Sequence, residues 1–467
     1  MTIPMTAGGR PLTIGQTIPV VDPATGKVAA QAPACSAEQL ASTVRAAVSA
    51  FAPWAARPLE ERAEYLRRCS ELLGEHTDEI AELLTTEQGK PLAQARAEAN
   101  LSASWFADTA ALRLSAESLV DEDATSVMMR RTPLGVVAAI APFNFPLILS
   151  ACKIAPALLA GNTVVVKPSP LTPLATLRMV QVLAEVLPGG VLNAVSGRPE
   201  LGPALTGHPE IALISFTGSI PVGRAIAASA GLRRVVLELG GNDPAIVLPG
   251  ADPEIVAPEL FARSMVNSGQ FCAAIKRVYV PRRQHDELAE RLGELARRAR
   301  MGDGHDPLTE YGPLTSEAQV SRVAAMVEEA VSGGARVVAQ SGAPLDTGFF
   351  FPATVVSDLP PATRLEREEQ FAPVIPVLAY DDPAEAVHSA NATEYGLGAS
   401  LWGDPELAED LASGIDAGTV WINTHGDLRH DVPFGGSRNS GLGVEYGYWG
   451  LLEYTRIAVT HRARTAR

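Results

Sequence analysis

The sequence predicts an α/β protein made of two parallel-sheet α/β domains. Three observations carry this. The chain has 467 residues, which at roughly 100–200 residues per domain means more than one core. After Pro133, short apolar runs rich in β-branched residues alternate with helical stretches, the rhythm of a parallel sheet with helices on both faces. After Gly240 a second series of the same kind begins.

The first hundred residues read as mostly helical. Ser36 to Phe51 opens on a capping serine, with Glu38 two positions on, and then carries apolar residues at helical spacing. Leu59 to Leu73 and Thr77 to Gln88 continue the pattern, and Gly89 ends it. In the first α/β series, strands are expected at Gly135 to Ile140, Thr163 to Val166, Ile211 to Phe216 and Arg234 to Leu239. Helices at Leu147 to Leu159 and Pro173 to Leu187 separate them. In the second series, strands are expected at Val278 to Pro281, Arg336 to Ala339, Val374 to Tyr380 and Thr419 to Asn423. Helices at Gln284 to Arg300 and Ser316 to Gly333 lie between them. Two such units suggest a site at their interface.

Composition narrows the function classes. The formal net charge is −15, and an acidic surface repels phosphate backbones, so nucleic acid is not an expected partner. Cys35, Cys69, Cys152 and Cys272 are far apart with no CxxC pair. This spacing argues against a disulfide framework and a cysteine metal site, and it fits the reducing cytoplasm. No apolar run approaches the ~20 residues needed to span a bilayer, and the N-terminus lacks the pattern of a secretory signal.

Four short segments carry chemistry. In Asn267-Ser-Gly-Gln-Phe-Cys272, Gly269 permits a close turn that sets the Cys272 backbone N–H beside its own sulfur, as an oxyanion donor to a nucleophilic thiolate. The other reading of Cys272 is a buried core thiol. In Val235-Val-Leu-Glu238-Leu-Gly-Gly241, an acid ends an apolar strand. It is either a buried base with a raised pKa or a carboxylate at a surface turn. Asn144, between Pro142 and Pro146, is either a second oxyanion donor in a stiffened loop or a plain turn residue. Phe216-Thr-Gly218-Ser219-Ile-Pro-Val-Gly223 follows a strand and opens a helix, a geometry that aims N–H groups at an anion. Lys167, after its own strand, is either a cation for a phosphate or ribose or a solvated lysine.

In order and spacing these segments resemble the aldehyde dehydrogenase superfamily along almost the whole chain. Supporting blocks are Glu87 to Pro91, Leu187 to Asn193, Tyr311 to Leu314, Glu369 to Val374, Asn391 to Leu397, Gly418 to Asn423 and Pro433 to Gly441. Cys272 stands 34 residues after Glu238, as in that family. The resemblance implies NAD(P)-dependent, hydrolytic oxidation of an aldehyde to a carboxylate, with no metal. By analogy Cys272 is the nucleophile, Asn144 holds the oxyanion, and Glu238 activates the water that hydrolyses a thioester.

For the cofactor, the resemblance points to Ala141, Pro142, Phe143, Lys167, Ser169, Pro170, Gly218, Ser219, Gly223, Leu239, Gly240, Glu369 and Phe371. NAD is favoured over NADP, although Pro170 stands where many NAD-preferring members carry a glutamate. The substrate pocket is expected from Ile148, Leu149, Cys152, Val266, Phe271, Ala273 and the loop Thr424 to Phe434, including His425, Arg429 and Phe434. Arg429 and His430 either face solvent or recruit a carboxylate-bearing semialdehyde. The implied domains are a cofactor unit at 1–114 and 134–239 and a catalytic unit at 240–450. A bridging oligomerisation hairpin at 115–133 and 451–467, with strands Ser126 to Arg131 and Glu453 to His461, implies a homodimer or homotetramer. Two alternatives stand beside this reading. One is a CoA-acylating relative, which typically lacks the base at the Glu238 position. The other is a non-catalytic protein of the same fold.

Overall fold

A computed structural model describes residues 2–342 and 346–464. Two large sheets organise it. In the first, the order runs Gly441–Leu442, Arg234–Glu238, Ile211–Thr217, Val136–Ile140, Thr163–Lys167, Leu192–Ala194, Thr6–Ala7 and Arg10–Pro11. The five inner strands are parallel, and both edges are antiparallel. Their register sets Thr217 beside Glu238, Phe216 beside Ile140, and Ile140 beside Lys167. The loops that follow these strands therefore open at one end of the sheet, where ligands of α/β proteins bind.

The second sheet runs Arg336–Gln340, Thr354–Ser357, Val374–Tyr380, Ile275–Pro281, Asp243–Val247, Gly398–Trp402 and Thr419–Ile422, parallel except at its first pair. Only Leu239 to Asn242 separates the last residue of Arg234–Glu238 from the first of Asp243–Val247. The C-terminal edge of one sheet thus runs straight into the N-terminal edge of the other. Glu238, the loop ahead of Ile275 and the loop ahead of Val374 are gathered at that junction.

The helix Pro146–Ala160 is buried along its whole length, as its almost uninterrupted apolar sequence requires. Ser36 caps Ala37–Ala55 through a reciprocal capping box with Gln39, so Gln39, not Glu38, completes the motif.

Several expectations need correction. The first hundred residues are mostly helical as expected, but strands not expected occupy Thr6–Ala7, Arg10–Pro11, Thr17–Asp22 and Lys27–Pro33 before the first helix. A further helix, Leu92–Ala110, completes the helical layer. Both sheets are parallel through their interiors, with antiparallel pairing at both edges of the first and at Arg336–Gln340 in the second. Gly441–Leu442, placed in the catalytic unit on sequence grounds, completes the first sheet against Leu237 and Glu238. The bridging element is a three-stranded sheet, Glu117–Asp121, Thr125–Pro133 and Thr455–Ala463, rather than a two-stranded hairpin. Glu453 ends a helix instead of opening a strand. Residues 465–467 of the expected oligomerisation segment lie outside the described residues.

Candidate active site

Cys272 follows a turn in which Asn267, Ser268 and Gly269 take φ values of 50°, 57° and 74° in succession. Three left-handed residues in a row are strained and persist only when the surroundings over-determine them. Here they do. Ser268 Oγ donates to Gly312 O (2.8 Å), and Asn267 Nδ2 donates to Asn144 O (3.0 Å). The Gln270 amide donates to Asn267 O and accepts from Thr315 N and Oγ1 (3.0 Å each). A β-carbon on Gly269 would lie 2.2 Å from Ala372 O, so glycine is required there by space as well as by φ. The Cys272 thiol is buried. Burial pushes its pKa well up, and the neighbouring Glu238 and Glu369 carboxylates add to this.

Glu238 ends its strand in the interior, not at a surface turn. Neither carboxylate oxygen has a hydrogen-bond partner among the described residues. The acid and the Cys272 thiol are within electrostatic reach of each other, but no bond of ordinary geometry joins them. Burial raises the Glu238 pKa to about 8; Glu445 adds to the rise and Lys153 opposes it. Lys153 and Glu445 form a fully buried ion pair, and Lys153 Nζ also donates to Thr217 Oγ1 at 2.7 Å. Sequence reasoning missed this pair. The visible signal was a lone lysine in the otherwise apolar helix PLILSACKIAPALLA.

Asn144 is buried. Its side-chain amide donates one N–H to Gln270 O (2.9 Å), and its backbone carbonyl accepts from Lys90 Nζ (2.8 Å). Lys90 is held in turn by Glu98 (2.5 Å). The other Glu98 oxygen accepts the Leu147 N–H (2.9 Å) at the N-terminus of Pro146–Ala160, where negative charge is favoured. A buried Lys90–Glu98 pair thus locks the Asn144 loop onto its helix; neither residue was singled out from sequence.

A cavity of about 180 Å³ brings Cys272, Glu238 and Asn144 together with Pro142, Phe143, Gly218, Ser219, Leu239, Gly240, Glu369 and Phe371. Gln319, not expected from sequence, joins them and donates to Gln370 O (2.6 Å) and Phe371 O (3.1 Å). A β-carbon on Gly240 would lie 2.4 Å from Glu369 Oε2. Burial raises the Glu369 pKa to about 7, against the pull of Lys276 and the Gly241 N–H.

The remaining expected cofactor residues lie off this wall. Ala141 and Lys167 share the same sheet end, with Ala141 N donating to Lys167 O (3.2 Å). Lys167 is buried with no ion-pair partner among the described residues; its Nζ reaches Pro168 O at 3.3 Å, and burial lowers its pKa to about 8. Ser169 Oγ accepts from Leu171 N (3.2 Å), and Pro170 is half-buried. Gly223 sits in the first turns of Ile220–Ser229, where its face meets Leu239. A buried lysine without an ion-pair partner among the described residues and a helix N-terminus without a side-chain cap suit an anionic dinucleotide.

On the other side, Ile148 and Val266 line a cavity of about 510 Å³ with Phe145, Leu101 and Tyr311. Phe271 packs edge-on against Phe145 at 5.4 Å. Other pocket expectations need correction. Leu149, Cys152 and Ala273 are core residues that do not line this cavity, and Cys152 lies beside Glu445 and Tyr446. Phe434 stacks on Tyr446 at 5.7 Å. His425 is inside the second sheet's layer, 2.9 Å from Ser400 Oγ and against Trp421, and burial drives its pKa to about 3. Arg429 is exposed and doubly bonded to Asp431 (2.9 and 2.8 Å), so its charge is already matched. His430 lies 3.9 Å from Asp108. No helix among the described residues is long and apolar enough to cross a membrane.

Residues 13–460 match the sequence model of the aldehyde dehydrogenase family. The chain belongs to the aldehyde dehydrogenase family. It is 37% identical over 462 residues to the betaine aldehyde dehydrogenase of Cereibacter sphaeroides, covering 96% of this chain and 95% of that one. It is also 37% identical over 453 residues to the glutarate-semialdehyde dehydrogenase of Pseudomonas putida, covering 95% and 94%. Among solved structures it superposes on an E. coli NADP dependent enzyme with a TM-score of 0.96 at 34% identity, covering 99% and 98%. The protein is an NAD(P)-dependent oxidoreductase of aldehydes, and its two α/β sheets with a bridging sheet are the fold of that family.

Proposed function

We propose that this aldehyde dehydrogenase works through a covalent intermediate on Cys272. The observation that carries the reading is the placement of Glu238, buried with both oxygens free, beside the Cys272 thiol and the Asn144 amide. The Cys272 sulfur gives up its proton to the Glu238 carboxylate, which passes it to solvent, and bonds to the aldehyde carbon. The remaining Asn144 N–H and the Cys272 backbone N–H hold the oxygen as it gains charge. The bound nicotinamide supplies the hydride acceptor. Cys272 then carries a thioester. Glu238 takes a proton from water as the water attacks the acyl carbon; the C–S bond breaks, and carboxylate and thiol are released.

Glu369, Phe371, Gly218, Ser219 and Gly240 face the cofactor, with Lys167 at its ribose. NAD is the preferred cofactor and NADP is also accepted, because Pro170 offers neither a carboxylate to repel a 2′-phosphate nor a cation to bind it. The preferred aldehyde is not anionic. Of the acids on the 510 Å³ cavity, Glu98 is paired with Lys90, while Glu310 accepts only the Arg300 N–H; among the described residues no cation lines the wall, and Arg429 is matched by Asp431. The bridging sheet leaves Leu119, Met128, Ile457 and Val459 exposed, which supports assembly of identical chains through it. The free thiols fit the cytoplasm.

Steady-state kinetics with both cofactors and with neutral, cationic and anionic aldehydes test this. Cys272→Ala is expected to retain less than a few per cent of turnover. A Cys272→Ala chain that still oxidises aldehyde, or stimulation by CoA in place of water, overturns the reading.

A further inference from the structure

Lys276 stands on the strand Ile275–Pro281 and is 1% exposed. An ammonium in such a place is destabilising unless it is matched. Its partners are not surface acids. Nζ donates to Gly269 O (3.1 Å) and Phe271 O (2.5 Å), two carbonyls of the turn that leads into Cys272. It also lies 5.0 Å from the centre of the Phe371 ring, within cation–π range.

Two strained loops meet above it. One carries the left-handed residues Asn267 to Gly269, and the other carries Phe371 at φ 50°. They touch so closely that a β-carbon on Gly269 would strike Ala372 O. The second loop is also tied to the lysine's own backbone, since Gln370 Nε2 donates to Lys276 O (3.0 Å). Below, Asp243 Oδ1 and Cys272 O both crowd the space over Gly241. The charges facing Lys276 are those of Glu369 and Asp243, with Cys272 as third neighbour.

We propose that Lys276 is a positioning residue for the nucleophile: it bonds the carbonyls of Gly269 and Phe271, stacks on Phe371, and so locks the Cys272 turn to the loop that faces the cofactor. Its positive charge is also the one that favours the Cys272 thiolate against the repulsion of Glu238 and Glu369. The proposal rests on Cys272 being the nucleophile. That premise fails separately, if Cys272→Ala remains active.

The test is Lys276→Met, close in length and without charge or donor. Alkylation of Cys272 by iodoacetamide is followed against pH in the folded, cofactor-free protein. The thiol profile is expected to move up by at least about one pH unit, slowing alkylation near pH 8 by about tenfold. Turnover is expected to fall through kcat, with the aldehyde KM within about twofold of wild type, and Lys276→Arg is expected to recover part of both. A wild-type alkylation profile in folded Lys276→Met overturns the proposal. So does faster alkylation, the result of a turn that has merely loosened. If Lys276→Met does not fold, Lys276→Gln keeps a donor without the charge and carries the same readout, with the same two outcomes deciding.

Discussion

Lys153 and Glu445 are paired in the protein interior, one from the helix Pro146–Ala160 and the other from the segment ahead of Gly447–Glu453, and both charges act on Glu238. Glu445 keeps one oxygen without a partner among the described residues, and at the proposed base its effect outweighs that of Lys153.

Removing one member leaves a buried charge uncompensated. Lys153→Met is expected to cost about 3–5 kcal/mol, read as a lower urea midpoint. Adding Glu445→Gln removes the orphaned carboxylate and is expected to restore part of the loss. A single variant with wild-type stability would show that the pair is not buried as described.

The pH dependence follows from Glu238. Its pKa is raised by burial to about 8 in the folded chain, against about 4.3 for a free glutamate. Below the folded value the carboxyl is protonated and cannot accept a proton from water. Deacylation is therefore expected to rise with pH along a limb centred near 8 and to level off above it. The same shift makes this group's contribution to stability decline as pH rises from the unfolded value through about 8. Steady-state turnover against pH, under conditions where hydrolysis limits the rate, checks the limb; Glu238→Gln should flatten it.

Much of this site is legible in the sequence because its parts are local. A strand ending in Glu238, a turn ending in Cys272 and a loop centred on Asn144 each announce themselves within a few residues. The parallel register then brings Glu238, Thr217 and Lys167 to one sheet end. What was not legible is long-range. Lys90 meets Glu98 and Asn144, Lys153 meets Glu445, and Lys276 meets Phe371 only after the fold closes. A sequence shows each as a single charged residue, without its partner. His425 misleads for the converse reason. It lies in a loop expected to line the substrate pocket, but packing against Trp421 and Ser400 holds it inside the second sheet's layer. The two-residue strands Thr6–Ala7 and Arg10–Pro11 carry too few residues for a period to show.

Gly269 provides a test of the turn itself. Gly269→Ala forces a side chain into φ +74° and against Ala372 O. About 1–3 kcal/mol of strain is expected, with activity falling more than stability because the turn places Cys272. Thermal unfolding and kcat measured on the same preparation separate the two. Unchanged kcat would mean that the turn does not position the sulfur.

The central claim is that oxidation passes through a thioester on Cys272 that Glu238 hydrolyses. Intact-mass and peptide analysis of the Glu238→Gln variant, quenched after one turnover with aldehyde and NAD(P)+, tests it most directly. The account predicts a mass increase equal to the acyl group, located on Cys272, together with one equivalent of NAD(P)H. Reduced cofactor formed with Cys272 unmodified would contradict it.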